Sequence, residues 1–560
     1  MVNTAKQVSI SSKYNGKSIG GKKMLTALLA VGIMTFSGTA GAAPAVPSPG
    51  EELPTPPEQG ETKLENTLPE EQPTQAGARF TLTKVTMEHE GMKLRDEQLM
   101  AVTQPYLNRE IDAGELDNMV AELTRLARKQ YPAAWAYIPE QTAVDGKLTI
   151  RFEAGRFSTV KVDSEGVLHE RVARMPLAGL RRGEIIESGK LETALRNLRD
   201  LPGIAAEAVL SPGSEQGTSD LTVKVTPRET QTYVLYAENY GSHAAGRYRY
   251  GFQADWRNPS ATGNRLTIGA LVSNGHQHGG SIAYEMPVGH STTTVGIGYS
   301  HSDYELGSIW SQLGVEGKSD TVSLYGKTPL VNRYTGKTSL TYAFNYRKLK
   351  DELNGMDIGD RHSQSFSLGL EGFGRSSKNI VQYEVAFHTG TLTTDSATAD
   401  ALATAGGYNG GFTKGTLDVT AVQQLGSPAF DVLLKLSGQK AGSNLDSSER
   451  IYLGGARGVR AYPQGEASGD EGILGTLEVR YHLPVKGLTA SIYYDAGHVR
   501  KVKSIAGSNT LQGWGLGLTY SRPRDWFARL DYARRIGYDE GLSTDANSRG
   551  RLWFMLGKVL

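Results

Sequence analysis

From about Thr230 to Leu560 the sequence alternates apolar and polar residues in segments of strand length, with no helical period anywhere along it. Candidate strands run from 231–240 through to 550–560, about sixteen in all, each near the 9 to 11 residues a tilted membrane strand needs. The connections differ by side. Those at 259–264, 287–291, 374–378, 426–428, 484–487 and 522–525 are short, whereas those at 303–316, 350–361, 390–411, 440–470, 499–510 and 536–549 are longer. Short turns on one side and long loops on the other fit an antiparallel outer-membrane β-barrel better than a soluble array of β-sandwiches. The faces agree. Trp526, Ala528, Leu530 and Tyr532 share one face of their segment, and Phe527, Arg529 and Asp531 the other; Leu552, Phe554, Leu556 and Leu560 line one face of the last. Lipid outside and water inside demand that division. Lys558 interrupts the last row two residues from the end, where a lysine on the lipid face costs only about 0 to 1 kcal/mol.

The rest of the chain suits an exported protein. Lys22 and Lys23 precede an apolar run from Met24 to Phe36 and the small residues Ala40, Gly41, Ala42 and Ala43, which predicts a signal peptide over 1–42. That run is too short to span a bilayer. Residues 43–78 are rich in Pro, Glu, Gln and Thr and read as an extended linker. Two similar α+β units follow, at 79–155 and 156–228, ahead of the barrel at 229–560. In the first, Phe80, Leu82 and Val85 suggest a strand, then Leu94, Leu99, Val102 and Tyr106 a helix. Leu116, Met119, Val120, Leu123, Leu126, Ala127 and Tyr131 form an apolar helical stripe, and Leu148, Ile150 and Phe152 a closing strand. In the second, Leu191, Leu195, Leu198 and Leu201 line a helix between strands at Val160 and Val162, at Ala208 and Leu210, and at Leu221, Val223 and Val225.

Several chemistries are disfavoured. With 60 Lys and Arg against 59 Asp and Glu, the net charge of +1 gives no footprint for nucleic acid. The absence of cysteine removes thiolate metal sites, catalytic thiols and disulfides. His276 and His278 flank Gln277 without an evident third ligand, so no metal or other cofactor is expected. No nucleophile elbow or clear Ser/His/Asp grouping stands out, so no enzymatic activity is expected either.

Two tandem small domains before a barrel resemble the two-partner secretion transporters, the haemolysin secretion and activation family of the POTRA-plus-barrel superfamily. The resemblance covers Phe80 to Leu560. Ile138, Pro139, Glu140 and Gln141 with Asp145 to Leu148, and Leu198 to Gly203 with Gly217 and Ser219 to Leu221, resemble parts of two POTRA domains. Its most specific part lies in the long connection 440–470, the sixth external loop by strand count, where Leu453, Gly454 and Gly455 precede Gly458, Val459, Arg460, Ala461 and Tyr462. This resembles the family's Val-Arg-Gly-Tyr loop tip, with Ala461 standing where glycine is usual. Tyr493, Tyr494, Asp495, Ala496 and Gly497 resemble the strand motif whose aspartate receives that arginine. Alternation independently aims Asp495 into the lumen and sets Glu478 on the inner face of the neighbouring strand as a competing partner. The resemblance implies an outer-membrane protein with periplasmic POTRA domains that recognises an unfolded, haemolysin- or adhesin-like exoprotein and moves it to the cell surface, with outer-membrane lipid and the barrel-assembly machinery as further partners. A barrel-assembly factor of the same superfamily, or a passive porin or surface receptor, are the alternatives.

Overall fold

The computed structural model describes residues 64–66, 79–141, 144–289, 292–307, 311, 314–502, 508–537, 542–543 and 545–560. The expected signal peptide lies outside them, as does the expected linker apart from residues 64–66.

Strands from Gln231–Glu238 to Gly550–Val559 form one closed antiparallel barrel. Sixteen long strands make it up among the described residues, with a two-residue element, Met356–Asp357, appended to one of them. The first strand pairs with the last, Val234 opposite Val559 and Glu238 opposite Met555. Because lipid offers no partner for a backbone N–H or C=O, this closure satisfies the whole span. Apolar side chains such as Leu516, Ile492, Leu477 and Leu324 stand outward and exposed, whereas Asp495, Glu478 and Asp531 on neighbouring inward positions are buried. Lys558 sits over the ring of Trp526 at 5.4 Å, a cation–π contact at the end of the outer row.

Strand lengths depart from the expected 9 to 11 residues. Val315–Arg333 has 19 residues and Gly336–Leu353 has 18, paired without interruption apart from one bulge at Pro329/Val331. Their outer ends carry Lys318, Asp320, Lys348 and Lys350, residues suited to water beyond the bilayer, so pairing continues past the span that hydrophobicity marks. A second departure is the helix Ala397–Gly406 inside a region expected to lack helices. Ser396 accepts a hydrogen bond from the Ala399 N–H at its start, and Gly407 at φ 66° ends it. Both are ordinary capping residues around an alanine-rich run.

On the inward-turn side sit the two α+β units. In the first, Lys84–Glu88 runs parallel to Lys147–Glu153, which pairs antiparallel with Trp135–Tyr137. The single strand expected from Phe80 is split: Phe80–Leu82 turns away to pair with Arg109–Ile111. Helix Ala113–Arg128 begins with a capping box between Asp112 and Glu115 and buries Met119, Leu123 and Ala127 against Leu82, Ile150 and Phe152. In the second, Ile204–Pro212, Thr218–Pro227 and Arg156–Asp163 form a sheet whose core includes Leu191, Leu195 and Leu198 of helix Ser188–Arg199. A short helix, Glu170–Arg174, had no clear sequence period. Leu64–Asn66 adds to this sheet as a parallel strand, Leu64 opposite Ala208.

The second unit is fixed to the barrel rim. Asp200 accepts hydrogen bonds from Asn332 at 2.7 Å and Lys337 at 2.6 Å, and Asn332 also donates to Asn197 at 2.8 Å. At another turn the His169 N–H donates to the Ala261 carbonyl and Asn258 to that of Val167, both at 2.8 Å. Two turns of the rim thus hold this unit.

The division of faces makes a stability prediction. Leu516→Arg, at mid-strand on the lipid side, should lower the unfolding free energy in vesicles by about 2 to 4 kcal/mol. Ser365→Arg, on the inner face, should change it by less than about 1 kcal/mol. Urea titration followed by tryptophan fluorescence measures both, and equal losses would contradict the assignment of faces.

Candidate functional site

The connection between strands Phe430–Ala441 and Glu471–His482 does not stand in solvent. Leu453, Val459, Ala461 and Tyr462 are all buried, packed with Tyr493, Val499, Leu511 and Ala533 of the inner wall. Its chain turns back on itself. The Val459 N–H donates to the Leu453 carbonyl at 2.7 Å, the Tyr462 N–H to that of Val459 at 3.1 Å, and the Leu453 N–H to that of Ala467 at 3.0 Å.

At the tip, Arg460 reaches three carboxylates. Its Nε donates to Asp495 Oδ2 and its Nη2 to Asp495 Oδ1, both at 2.9 Å, a bidentate pair; its backbone N–H donates to the same carboxylate at 3.1 Å. Nη1 donates to Asp531 at 3.1 Å and to Glu478 at 3.3 Å. Glu478 therefore shares the guanidinium with Asp495 without displacing it. The guanidinium carbon lies 3.1 Å from the centre of the Tyr493 ring, and Trp553 Nε1 donates to the Arg460 carbonyl at 2.6 Å. Thr476 donates to Asp495 Oδ1 at 2.9 Å, while Arg529 pairs with both Asp531 at 2.6 Å and Glu478 at 3.3 Å. Four strands and the loop are joined through this group.

Its energetics follow from burial. Arg460 is 4% exposed, Glu478 3%, Asp531 2% and Asp495 1%. The 0 to 1 kcal/mol typical of a surface ion pair does not apply here, and a charge-assisted hydrogen bond contributes about 1.5 to 3 kcal/mol. Losing Arg460 would strand the carboxylate of Asp495.

Room for the tip comes from missing side chains. Gly513, Gly515 and Gly517 alternate with the outward Trp514, Leu516 and Leu518 on strand Asn509–Ser521. A Cβ at Gly513 would stand 2.5 Å from that of Ala461, and one at Gly515 2.4 Å from the Tyr493 ring. At Gly497 a Cβ would meet Leu453 at 2.7 Å. Ala461, where the resembling motif has glycine, keeps a negative φ; positive φ in this loop falls to Gly455, Gly465 and Ala467 instead. Tyr462 lies under Arg535, 5.5 Å from guanidinium carbon to ring centre.

Sequence reasoning set Arg460, Asp495 and Glu478 together, and missed Asp531, Arg529, Tyr493 as a stacking partner and Trp553. The inward face of Trp526–Arg535 already carried Arg529 and Asp531, a charged pair in a barrel wall. The Gly-x-Gly-x-Gly run marked the strand that leaves space. Among the described residues no group of three or more histidine, aspartate or glutamate side chains is arranged to hold a metal.

A closed barrel, small α+β units on its inward-turn side and a long loop folded into its lumen define a POTRA-bearing outer-membrane barrel. The chain belongs to the haemolysin secretion/activation family: the model for haemolysin secretion/activation protein ShlB/FhaC/HecB matches residues 217–520, more than half of it, and that for the ShlB-type POTRA domain matches residues 80–155. It is a transporter of the two-partner secretion type, seated in the outer membrane with its POTRA domains in the periplasm, and its kind acts with a large secreted exoprotein. Among its relatives, the heme/hemopexin transporter protein HuxB of Haemophilus influenzae is 24% identical over 502 residues, 86% of this chain and 87% of that one. The outer membrane transporter CdiB of Dickeya dadantii is 24% identical over 463 residues, 79% and 80% of the two chains. The structure of CdiB from Escherichia coli superposes with a TM-score of 0.67 at 19% identity, covering 88% of this chain and 93% of that one. CdiB from Acinetobacter baumannii gives 0.63 at 18% identity, over 96% of each. At those identities the superpositions speak for the fold alone.

Because Arg460 and Asp495 form one bidentate unit, their losses should not add. Arg460→Ala and Asp495→Ala should each expose the loop to external protease while leaving barrel amounts near normal, and the double variant should be little worse than either. Protection unchanged in Arg460→Ala, or fully additive exposure, would show that the pair does not hold the loop.

Proposed function

We propose that this transporter takes up an unfolded, haemolysin- or adhesin-like exoprotein by strand addition to its POTRA units and passes it outward through a lumen shaped by the loop bearing Val459, Arg460 and Tyr462. Asp495, with Gly497 two residues on, is the wall partner that holds this loop in its transport-competent position, and Glu478 is the secondary one. The observation that carries the uptake step is the edge of the second sheet. Ile204–Pro212 carries a parallel partner from elsewhere in the chain, Leu64–Asn66, so extended backbone fits there. Main-chain pairing of this kind binds without demanding much sequence, which suits a long unfolded cargo. Folding of the cargo outside would drive its passage. The outer face meets membrane lipid directly, and closing such a barrel calls on the cell's barrel-assembly machinery. On this reading nothing in the chain catalyses a covalent step.

The same reading divides the chain at 79–155, 156–228 and 229–560, after a linker over 43–78 and a signal peptide over 1–42. Mass spectrometry of the outer-membrane form should find Ala43 first; retention of Met1 to Ala42 would refute the leader. For the docking role, deletion of both units, 79–228, should leave a barrel with heat-modifiable migration but no cargo in the medium. Normal secretion from that deletion would overturn it.

A further inference from the structure

Before the loop reaches its tip, residues 445–450 make a separate set of contacts on a different part of the wall. Asp446 accepts from Arg361 Nε at 3.0 Å, and Arg361 also donates through Nη1 to Asp351 and to the Gly359 carbonyl, both at 2.7 Å. Glu449 takes Arg347 at 3.1 Å and Lys414 at 2.8 Å. Its carbonyl accepts from Lys414 at 3.0 Å and from Gln439 at 3.0 Å. On the returning limb Asp470 holds Arg450 at 3.2 Å and accepts from the backbone N–H of Leu445 at 3.0 Å and of Val502 at 3.1 Å. Arg361, Asp446 and Asp470 are buried, and Glu449 is 12% exposed at its side chain.

The partners of this stem lie on strands Gly336–Leu353, Arg361–Arg375, Gly410–Gln424 and Phe430–Ala441, whereas those of the tip lie on Glu471–His482, Leu488–Arg500, Trp526–Arg535 and Gly550–Val559. The loop is rooted between the two sets. One anchor therefore pulls it along the wall to one side of its root and the other to the opposite side, and fixing both ends determines its path over the inner surface where one would leave it free to swing. The wall cations Arg361, Arg347 and Lys414 are matched in sign by the stem acids Asp446 and Glu449, and the cations' positions toward the outer ends of their strands do nothing for the membrane span itself. A barrel closed by its backbone ladder does not need them for integrity.

We propose that Arg361 and Arg347 are positioning residues for transport: acting through Asp446 and Glu449, they form a second anchor for the stem of the sixth loop, and the transport-competent path of that loop requires both anchors. The proposal rests on the reading that the loop must be held in place for secretion. Arg361→Gln and, from the loop side, Glu449→Gln each remove charge-assisted hydrogen bonds while leaving the tip group intact.

The test is trypsin added to whole cells carrying the full chain, read as the rate of cleavage at Arg450 and Arg457, alongside secreted cargo per unit of heat-modifiable barrel. Either variant should raise cleavage by about tenfold, the factor that about 1.4 kcal/mol represents, and reduce secretion with barrel amounts unchanged. Arg361→Lys, which keeps the charge, should recover most of both. If Arg361→Gln lowers barrel amounts, Glu449→Gln decides alone, since it leaves every wall strand unaltered. Cleavage at the parent rate in Glu449→Gln, or no recovery in Arg361→Lys, would overturn the second anchor. Raised cleavage with undiminished secretion would leave the anchor standing but refute both its role in transport and the requirement for a held loop; a normal Glu449→Gln beside a defective Arg460→Ala would refute the second anchor alone.

Discussion

Backbone pairing in a medium without water is the constraint from which the rest of this molecule follows. Inside the hydrocarbon layer each N–H and C=O must find a partner within the protein, and strands can provide that only by closing. Pairing of Gln231–Glu238 with Gly550–Val559 completes the ring. Once closed, every strand has one face in lipid and one in the lumen, so side-chain identity on alternate residues is free to serve different ends. The inner positions can then carry Asp495, Glu478, Asp531 and Arg529, charges that would be untenable on the other face.

A loop folded into such a lumen must replace the water it displaces. The tip does so with charge and with shape together. Arg460 brings five N–H donors to three carboxylates and stacks on Tyr493, while Gly513 and Gly497 withdraw side-chain volume where Ala461 and Leu453 lie. Neither half would suffice. A guanidinium without the glycine stripe could not approach, and the stripe without the carboxylates would give the loop no orientation. The stem adds Asp446 and Glu449 against Arg361, Arg347 and Lys414, so the loop is a strap with both ends tied rather than a flap on one hinge.

Much of the fold was readable from the sequence because a barrel writes its rules locally: alternation, turn length and parity each occupy a few neighbouring residues. The inward set of Asp495 and Glu478 came from that alternation, and the pairing with Arg460 from family resemblance rather than from the residues. Long-range partners were harder. Trp553 is 93 residues from the carbonyl it meets, and nothing near it in sequence points to that contact. Asp531 and Arg529 were on view as inner charges, yet their place beside strand Leu488–Arg500 depends on shear and register across an intervening strand. Strand ends were misjudged where pairing outlasts hydrophobicity, as in Val315–Arg333. The helix Ala397–Gly406 carried its caps in plain sight, but an alanine run in a long loop has no apolar stripe to mark it.

The account turns on Arg460 acting by holding the loop rather than by touching the cargo. The absence of native cysteine lets two introduced thiols pair only with each other. Leu453 faces Gly497 so closely that a Cβ at Gly497 would lie 2.7 Å from it, which makes Leu453→Cys with Gly497→Cys a tether between loop and wall. If removing the arginine lowers cargo secretion as a purely positional role requires, the oxidised tether placed in an Arg460→Ala background should raise it again, and reduction should lower it once more. Secretion that stays lost although the disulfide has formed would contradict a purely positional role and require the guanidinium itself to act in transport.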